Sequence, residues 1–385
     1  MDIVVPGFNY TALSTLRCLQ PLVREGARLW SVGFPETPQP AAWSRLPRRR
    51  IPFAAGGWAD NLLALGNRFT ARPVLLPTSD EQALAVARDR KRLGDIYDFL
   101  LPDTGVLEQL TEKTRFYALA ADRGWPVART ETAATPDALL DLPGRMRLPL
   151  IVKPFLRHAH RVDTPEELAA YARTLRPDHY RALVAQEWIE GADDAIYFSF
   201  LLYDREGRRV RTFTGRKLRQ WPPRSGSTSL GVSVTNETIA TLSAEMLESL
   251  AFRGYGSVEF KRDARTGRFV VMEPTAGRFN LQIALSAAAG MNIPADLCRL
   301  ILGRPLPGAR VRPGVHWILE SDDWKSHHAQ RTDYGYVRNF FRRRVCVLFA
   351  WHDPLPFAYE AFRRLGNALR NLAARLTGSR PRPAR

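Results

Sequence analysis

The sequence predicts a mixed protein, α/β at its N-terminus and α+β beyond, ending in a basic helical tail. Three observations carry this. Strands and helices alternate over residues 1–104, as in a parallel sheet with crossover helices. β-rich runs joined by short polar turns recur around residues 204–207 and 262–268. After residue 355, arginines alternate with leucines at near-helical spacing.

Taken in order, residues 3–5 read as a buried strand. A turn at Gly7-Phe8-Asn9-Tyr10 leads into a helix over 10–25. Residues 28–32 and 73–77 are the next strands, and 100–102 is the expected fourth. Thr78-Ser79-Asp80-Glu81 is a helix start, because a hydroxyl there caps free N–H groups and acids suit the first turn. Gly7 opens no GxGxxG run, so no dinucleotide site is expected. Asn9 or Tyr10, at the carboxyl end of the first strand, could touch substrate.

A helix is expected over 105–123, then a basic connector over 143–147. Thr164, Pro165 and Glu167 mark another helix start: cap, first helical position and capping-box acid. Residues 184–186 form a strand, and 196–203 pairs with 209–214. Residues 219–228 read as a mobile, phosphate-friendly lid. Finally, 256–261 and 269–273 form a hairpin. The divisions predicted are 1–104, 105–185, 186–320 and 321–385.

Glu259 and Glu273 lie on the two arms of that last hairpin. Alternate strand residues share a face, so Glu259 can point away from Val258 and Phe260. Two carboxylates side by side repel unless a cation sits between them, and Mg²⁺ takes hard oxygen ligands together with phosphate oxygens. The competing reading is a pair of solvated glutamates facing Lys261 or Arg268.

Lysine is scarce. The chain has Lys91, Lys113, Lys153, Lys217, Lys261 and Lys325 against many arginines. A sequence that prefers Arg keeps Lys where a compact point charge is needed, as on a phosphate oxygen.

These pieces resemble the ATP-grasp ligases, over about residues 110–302. Glu112-Lys113-Thr114-Arg115-Phe116-Tyr117 followed by Gly124-Trp125-Pro126-Val127 is similar to the opening of that family's nucleotide module. Leu150-Ile151-Val152-Lys153-Pro154 is similar to its phosphate-contacting strand, and Ala185-Gln186-Glu187-Trp188-Ile189-Glu190-Gly191 to its adenine hinge. The resemblance implies a pre-ATP-grasp parallel α/β domain, a two-lobed ATP-grasp module and the basic tail. ATP and Mg²⁺ (or Mn²⁺) would be its cofactors. It implies phosphate contacts from Lys113 and Lys153, and a catalytic role for Lys217. Gln186, Glu187, Trp188 and Ile189 would line the adenine slot, and Asp193, with Asp194 as the fallback, would accept from the ribose hydroxyls. Glu259 and Glu273 would hold the metal. Arg278 would steady an acyl phosphate, or else serve as a structural salt-bridge partner.

Two departures stand out. The family's Asn two residues after the second carboxylate is replaced by Thr275, so the further metal ligand is either Thr275 itself, a less common oxygen donor, or Asn280, if the chain loops back. The loop after Lys153, Phe155-Leu156-Arg157-His158-Ala159-His160-Arg161, lacks the glycines of a phosphate lid. His158 with His160, and His327 with His328, lack accompanying ligands and are read as structural or solvated.

The chain's 385 residues suggest two to three domains. There is no apolar run long enough to span a bilayer, and the first residues lack a signal peptide's pattern. Three scattered cysteines fit a reducing compartment, so a cytoplasmic protein is expected. The net charge of +17 calls for an acidic partner. No specific nucleic-acid motif accompanies it. The tail either packs on the body as a solvated surface helix or meets an anionic membrane, which would make the protein membrane-peripheral.

The activity the resemblance implies is ligation of a small carboxylate to an amine through an acyl phosphate, with ADP and phosphate released. D-aspartate ligase-like carboxylate–amine ligases are the nearest subgroup, and a homodimer is compatible with it. A small-molecule kinase and a non-catalytic nucleotide-binding module are the alternatives.

Overall fold

The computed structural model describes residues 1–35, 39–155, 159–224, 226–330 and 344–376. Among them, three sheets carry the architecture. The first is parallel, with β1 (Asp2–Pro6) and β2 (Arg28–Gly33) at its centre, flanked by β3 (Arg49–Pro52) and β4 (Val74–Leu75), in the order β3-β2-β1-β4. Val4 and Val5 are fully buried, as expected of a parallel strand covered on both faces.

Three expectations change here. The helix over 10–25 breaks into Tyr10–Cys18 and Gln20–Arg24. Pro21 has no N–H to continue the ladder and its ring clashes with the preceding turn. Residues 100–102 form no strand; β4 is met instead by a single bridge from Val74 to Asp98. The fourth strand is β3, whose two arginines hid it as an edge strand. The helix over 105–123 is two, Thr104–Thr111 and Lys113–Asp122, meeting at the extended Glu112.

The second sheet is antiparallel: β5 (Thr130–Thr132), β6 (Leu150–Lys153), β7 (His160–Val162) and β8 (Val184–Glu187), in the order β5-β8-β6-β7. The third has seven strands. They are β9 (Ile196–Tyr203), β10 (Arg209–Trp221), β11 (Ser227–Val234), β12 (Gly254–Arg262), β13 (Phe269–Ala276), β14 (His316–Ile318) and β15 (Arg344–Cys346), ordered β13-β12-β9-β10-β11-β14-β15.

The seven-stranded sheet is buried on both faces. On one, Phe198, Phe200, Phe213 and Tyr255 pack into a core shared with Ile3, Leu13 and Leu16 of the N-terminal domain. On the other, helix Glu237–Glu248 packs behind Val258 and Phe260. Residues assigned to the tail enter this body. β15 pairs in parallel with β14, and Arg17 holds Asp353 at 3.2 Å and the carbonyls of Val347 and Leu348 at 2.5 and 2.9 Å.

Candidate active site

The hairpin of β12 and β13 sets Glu259 directly opposite Glu273 in the ladder. A register shift follows at once, because Phe260 pairs with Val271 and Met272 is left as the extra residue. Val258 and Phe260 are fully buried on the opposite face, so both carboxylates project from the other one. Burial, foremost, and the charge of Glu273 push the Glu259 carboxyl above the usual carboxylate range, while Lys217 pulls it back. Lys217 Nζ donates to Glu259 Oε1 at 3.0 Å.

Both carboxylates line a cavity of about 430 Å³. Lys113, Lys153, Lys217 and Lys261 line it too, four of the chain's six lysines. Lys153, at the end of β6, donates to the Tyr117 hydroxyl at 2.9 Å and to Gln186 Oε1 at 3.0 Å. Gln186 is fully buried and its amide nitrogen donates to Thr130 Oγ1 at 3.0 Å, which orients its oxygen toward Lys153. Lys113 opens the helix that carries Tyr117, one turn on and on the same face.

The hinge residues Glu187, Trp188 and Ile189 line the same cavity. Trp188 N–H is already given to the Pro149 carbonyl at 2.9 Å. Its indole lies between Arg161 and Lys261, at 4.6 and 4.2 Å from the ring centre. Gly191 follows in a left-handed conformation (φ +135°), where a Cβ would press on Ala195 and on the Arg262 carbonyl.

Asp193 and Asp194 do not line the cavity. Asp193 accepts from Gln220, the Arg224 backbone and Gln330, at 2.7, 3.1 and 2.5 Å. Asp194 pairs with Arg216 at 2.8 Å. As placed, Asp193 holds β10, the turn that follows it and the end of helix Glu320–Gln330, and Asp194 holds β10. The expected lid is also different. Residues 219–221 belong to β10 and residues 227–228 to β11, while Ser225 lies outside the described residues.

Arg278 does line the cavity, and it also forms a bidentate pair with Asp80 at 2.8 and 3.0 Å. Burial opposes its charge, but Asp80 outweighs burial and holds the guanidinium above its usual pKa. Asp80 begins the helix capped by Ser79, so this pair ties the N-terminal domain to the cavity. Gly277, at φ +68°, makes the turn that returns the chain; a Cβ there would meet Leu107 at 2.6 Å. Past the turn, Asn280 accepts from the Tyr255 hydroxyl at 2.7 Å and donates to Thr275 Oγ1 at 3.3 Å. Thr275 and Asn280 thus stand together beside the glutamates on the cavity wall.

His158 lies outside the described residues. His160 stacks on Tyr171 at 4.2 Å, and His328 meets Trp324 in a tilted arrangement at the same distance. Sequence reasoning assigned no role to Tyr117, and to Lys261 only that of a partner for solvated glutamates. The signal for Tyr117 was its four-residue spacing from Lys113; for Lys261 it was the scarcity of lysine.

No family model matches this sequence, and no curated protein matches it. Solved structures do. The biotin carboxylase domain of Hydrogenobacter thermophilus 2-oxoglutarate carboxylase, in complex with MgADP, ADP and bicarbonate, superposes with a TM-score of 0.66 at 15% identity, over 82% of this chain and 73% of that one. N5-carboxyaminoimidazole ribonucleotide synthetase from Thermus thermophilus gives 0.62 at 17% identity, over 82% and 81%. The Campylobacter jejuni biotin carboxylase–β,γ-ATP complex gives 0.64 at 16%, over 82% and 74%. The fold is ATP-grasp. The parallel N-terminal sheet, the small antiparallel sheet and the seven-stranded sheet are its three parts, and the cavity lies against the last two.

Proposed function

We propose that this ATP-grasp protein is an ATP-dependent carboxylate–amine ligase. It joins a small carboxylate to an amine through an acyl phosphate and releases ADP and phosphate. One observation carries the reading: two glutamates paired in register and four of six lysines line one cavity. A cationic wall facing a carboxylate pair suits a triphosphate with its metal and little else.

The carboxylate pair fits Mg²⁺ or Mn²⁺. Glu259 and Glu273 would hold it, with Thr275 or Asn280 supplying a further oxygen. Bound there, the ion would supply positive charge to offset that of the phosphates. The chain's own residues do the rest. Lys113 and Lys153 bind the phosphates, and Gln186 with Tyr117 holds the Lys153 ammonium in place. Lys217 opposes the rise that burial imposes on the Glu259 carboxyl and stands ready to neutralise the transferring group. Arg278, fixed by Asp80, offers its remaining N–H groups to the acyl phosphate. The substrate carboxylate attacks the γ-phosphorus, its bond to ADP breaks, and the amine then displaces phosphate. The hinge 186–189 would enclose adenine. Within this class we favour the D-aspartate ligase-like carboxylate–amine ligases on the residue pattern alone. A homodimer would be found by sedimentation in the same study.

Glu273→Gln tests the reading. Its carboxylate is exposed and makes no ion pair among the described residues, so the fold should survive. ADP release across a panel of amino acids and small carboxylates should fall by at least about a thousandfold. Hydroxylamine should trap a hydroxamate from the wild type. Full activity in Glu273→Gln would overturn the site, and ADP release without hydroxamate would point to a kinase.

A further inference from the structure

Over residues 355–370, the helix Leu355–Leu376 lies on the body with its polar side inward. Glu360 is 2% exposed and accepts from Arg363 and Arg364 at 2.6–2.8 Å. Tyr359 stacks on Trp43 at 5.1 Å. The opposite side is apolar and faces solvent: Phe362, Leu365 and Leu369 are 74%, 57% and 58% exposed. Their spacings of three and four put them on one stripe. The same periodicity continues in the sequence at Leu372 and Leu376. Beside the helix start, Trp351 is 88% exposed, and Phe349 touches both it and Phe357. A solvated surface helix would be turned the other way. No helix among the described residues is long and apolar enough to cross a membrane, so the stripe lies on something rather than spanning it.

We infer that this face seats the protein on an anionic lipid surface, with the stripe in the acyl boundary and the net positive charge of this part of the chain drawing it to the headgroups. Charge selects that occupant. From residue 344 onward, Arg344, Arg363, Arg364, Arg370, Arg375, Arg380, Arg382 and Arg385 stand against Asp353 and Glu360 alone. Both carboxylates are already engaged, Asp353 by Arg17 and Glu360 by Arg363 and Arg364. A second copy of the chain would bring the same excess of positive charge together, whereas phosphatidylglycerol headgroups neutralise it. Basic flanks with an aromatic-tipped apolar stripe are what interfacial binding requires.

The full chain should co-sediment with vesicles of equal parts phosphatidylglycerol and phosphatidylcholine. It should bind pure phosphatidylcholine at least about tenfold more weakly, and salt should release it. Combining Phe362→Glu, Leu365→Glu and Leu369→Glu should abolish pelleting while ADP release in solution and thermal stability hold. Leu369→Gln alone, milder on folding, should show a smaller loss in the same direction. Three results would overturn the inference. The wild type may fail to pellet with anionic vesicles. Both variants may pellet as the wild type does. Or the triple variant may turn a dimer into a monomer with vesicle binding unchanged.

Discussion

Lys217 and Arg219 sit two residues apart on β10, and their environments divide function from structure. Among the described residues Lys217 makes one ion pair, to Glu259, a carboxylate whose side chain keeps 20% of its exposure and faces the cavity. Arg219 is closed off entirely. It forms a bidentate pair with Asp323 at 2.7 and 2.5 Å, and both side chains are fully buried. The ladder to β11 slips between the two residues, and helix Glu320–Gln330 packs where Arg219 points. A flexible ammonium beside an open cavity can exchange its partner for a phosphate. A guanidinium locked by two bonds cannot.

The largest effect should come from the locked pair. Asp323→Ala leaves the Arg219 charge buried without its partner, at a cost of about 3–5 kcal/mol. Urea denaturation measures it, and a loss under about 1 kcal/mol would show that the pair is not what fixes the helix to β10. Lys217→Met should invert the pattern. Turnover of ATP should fall about a hundredfold, or roughly 2.7 kcal/mol of transition-state stabilisation. Stability should fall by less than in Asp323→Ala, because the Glu259 side chain keeps 20% of its exposure and faces the cavity, where water can solvate the carboxylate left behind. Intact activity with a collapsed fold would erase the distinction between the two cations.

The contrast also explains what could be read in advance. The hairpin around Glu259 and Glu273 was readable because strand periodicity is local, and β-formers flank a polar turn containing Gly267. The parallel N-terminal sheet was readable from strand–helix alternation, but its edge strand was not, since Arg49 and Arg50 look like coil until β2 supplies a partner. The fate of Arg219 was unreadable. Nothing near it names Asp323, which lies 104 residues away. The same holds for Arg278 and Asp80, 198 residues apart. The extent of β10 was misjudged because Arg219 and Gln220 look solvated, yet both are buried. Polar residues carry no periodic signal when their burial depends on a distant partner.

Lys261 gives an intermediate test. It is 5% exposed, with its ammonium over the Trp188 ring. Burial pushes its pKa down to about 8, against the pull of Asp193 and Glu190. Unfolded, it titrates near 10.4. Between these values the unfolded chain binds the extra proton, so this residue's contribution to stability rises with pH. Its penalty is fully present below about pH 8. Lys261→Met should therefore be more stable than the wild type by about 1–2 kcal/mol at neutral pH, an advantage that vanishes by about pH 10.4. A variant that is less stable at neutral pH would mean that the cation–π contact outweighs desolvation.

Asp194 should give the smallest effect, and it bears on the nucleotide directly. As an expected ribose acceptor, it would raise the KM for ATP when neutralised. As placed, it is half-buried, paired with Arg216 at 2.8 Å and absent from the cavity wall. Arg216 also donates to the Asp194 carbonyl at 2.5 Å and lies over the Tyr197 ring, contacts that survive loss of the carboxylate charge. Asp194→Asn should thus cost about 0.5 kcal/mol of stability and leave the KM for ATP within about threefold. A rise of tenfold or more, with stability unchanged, would return Asp194 to the ribose and require the loop 193–195 to swing toward the cavity when nucleotide binds.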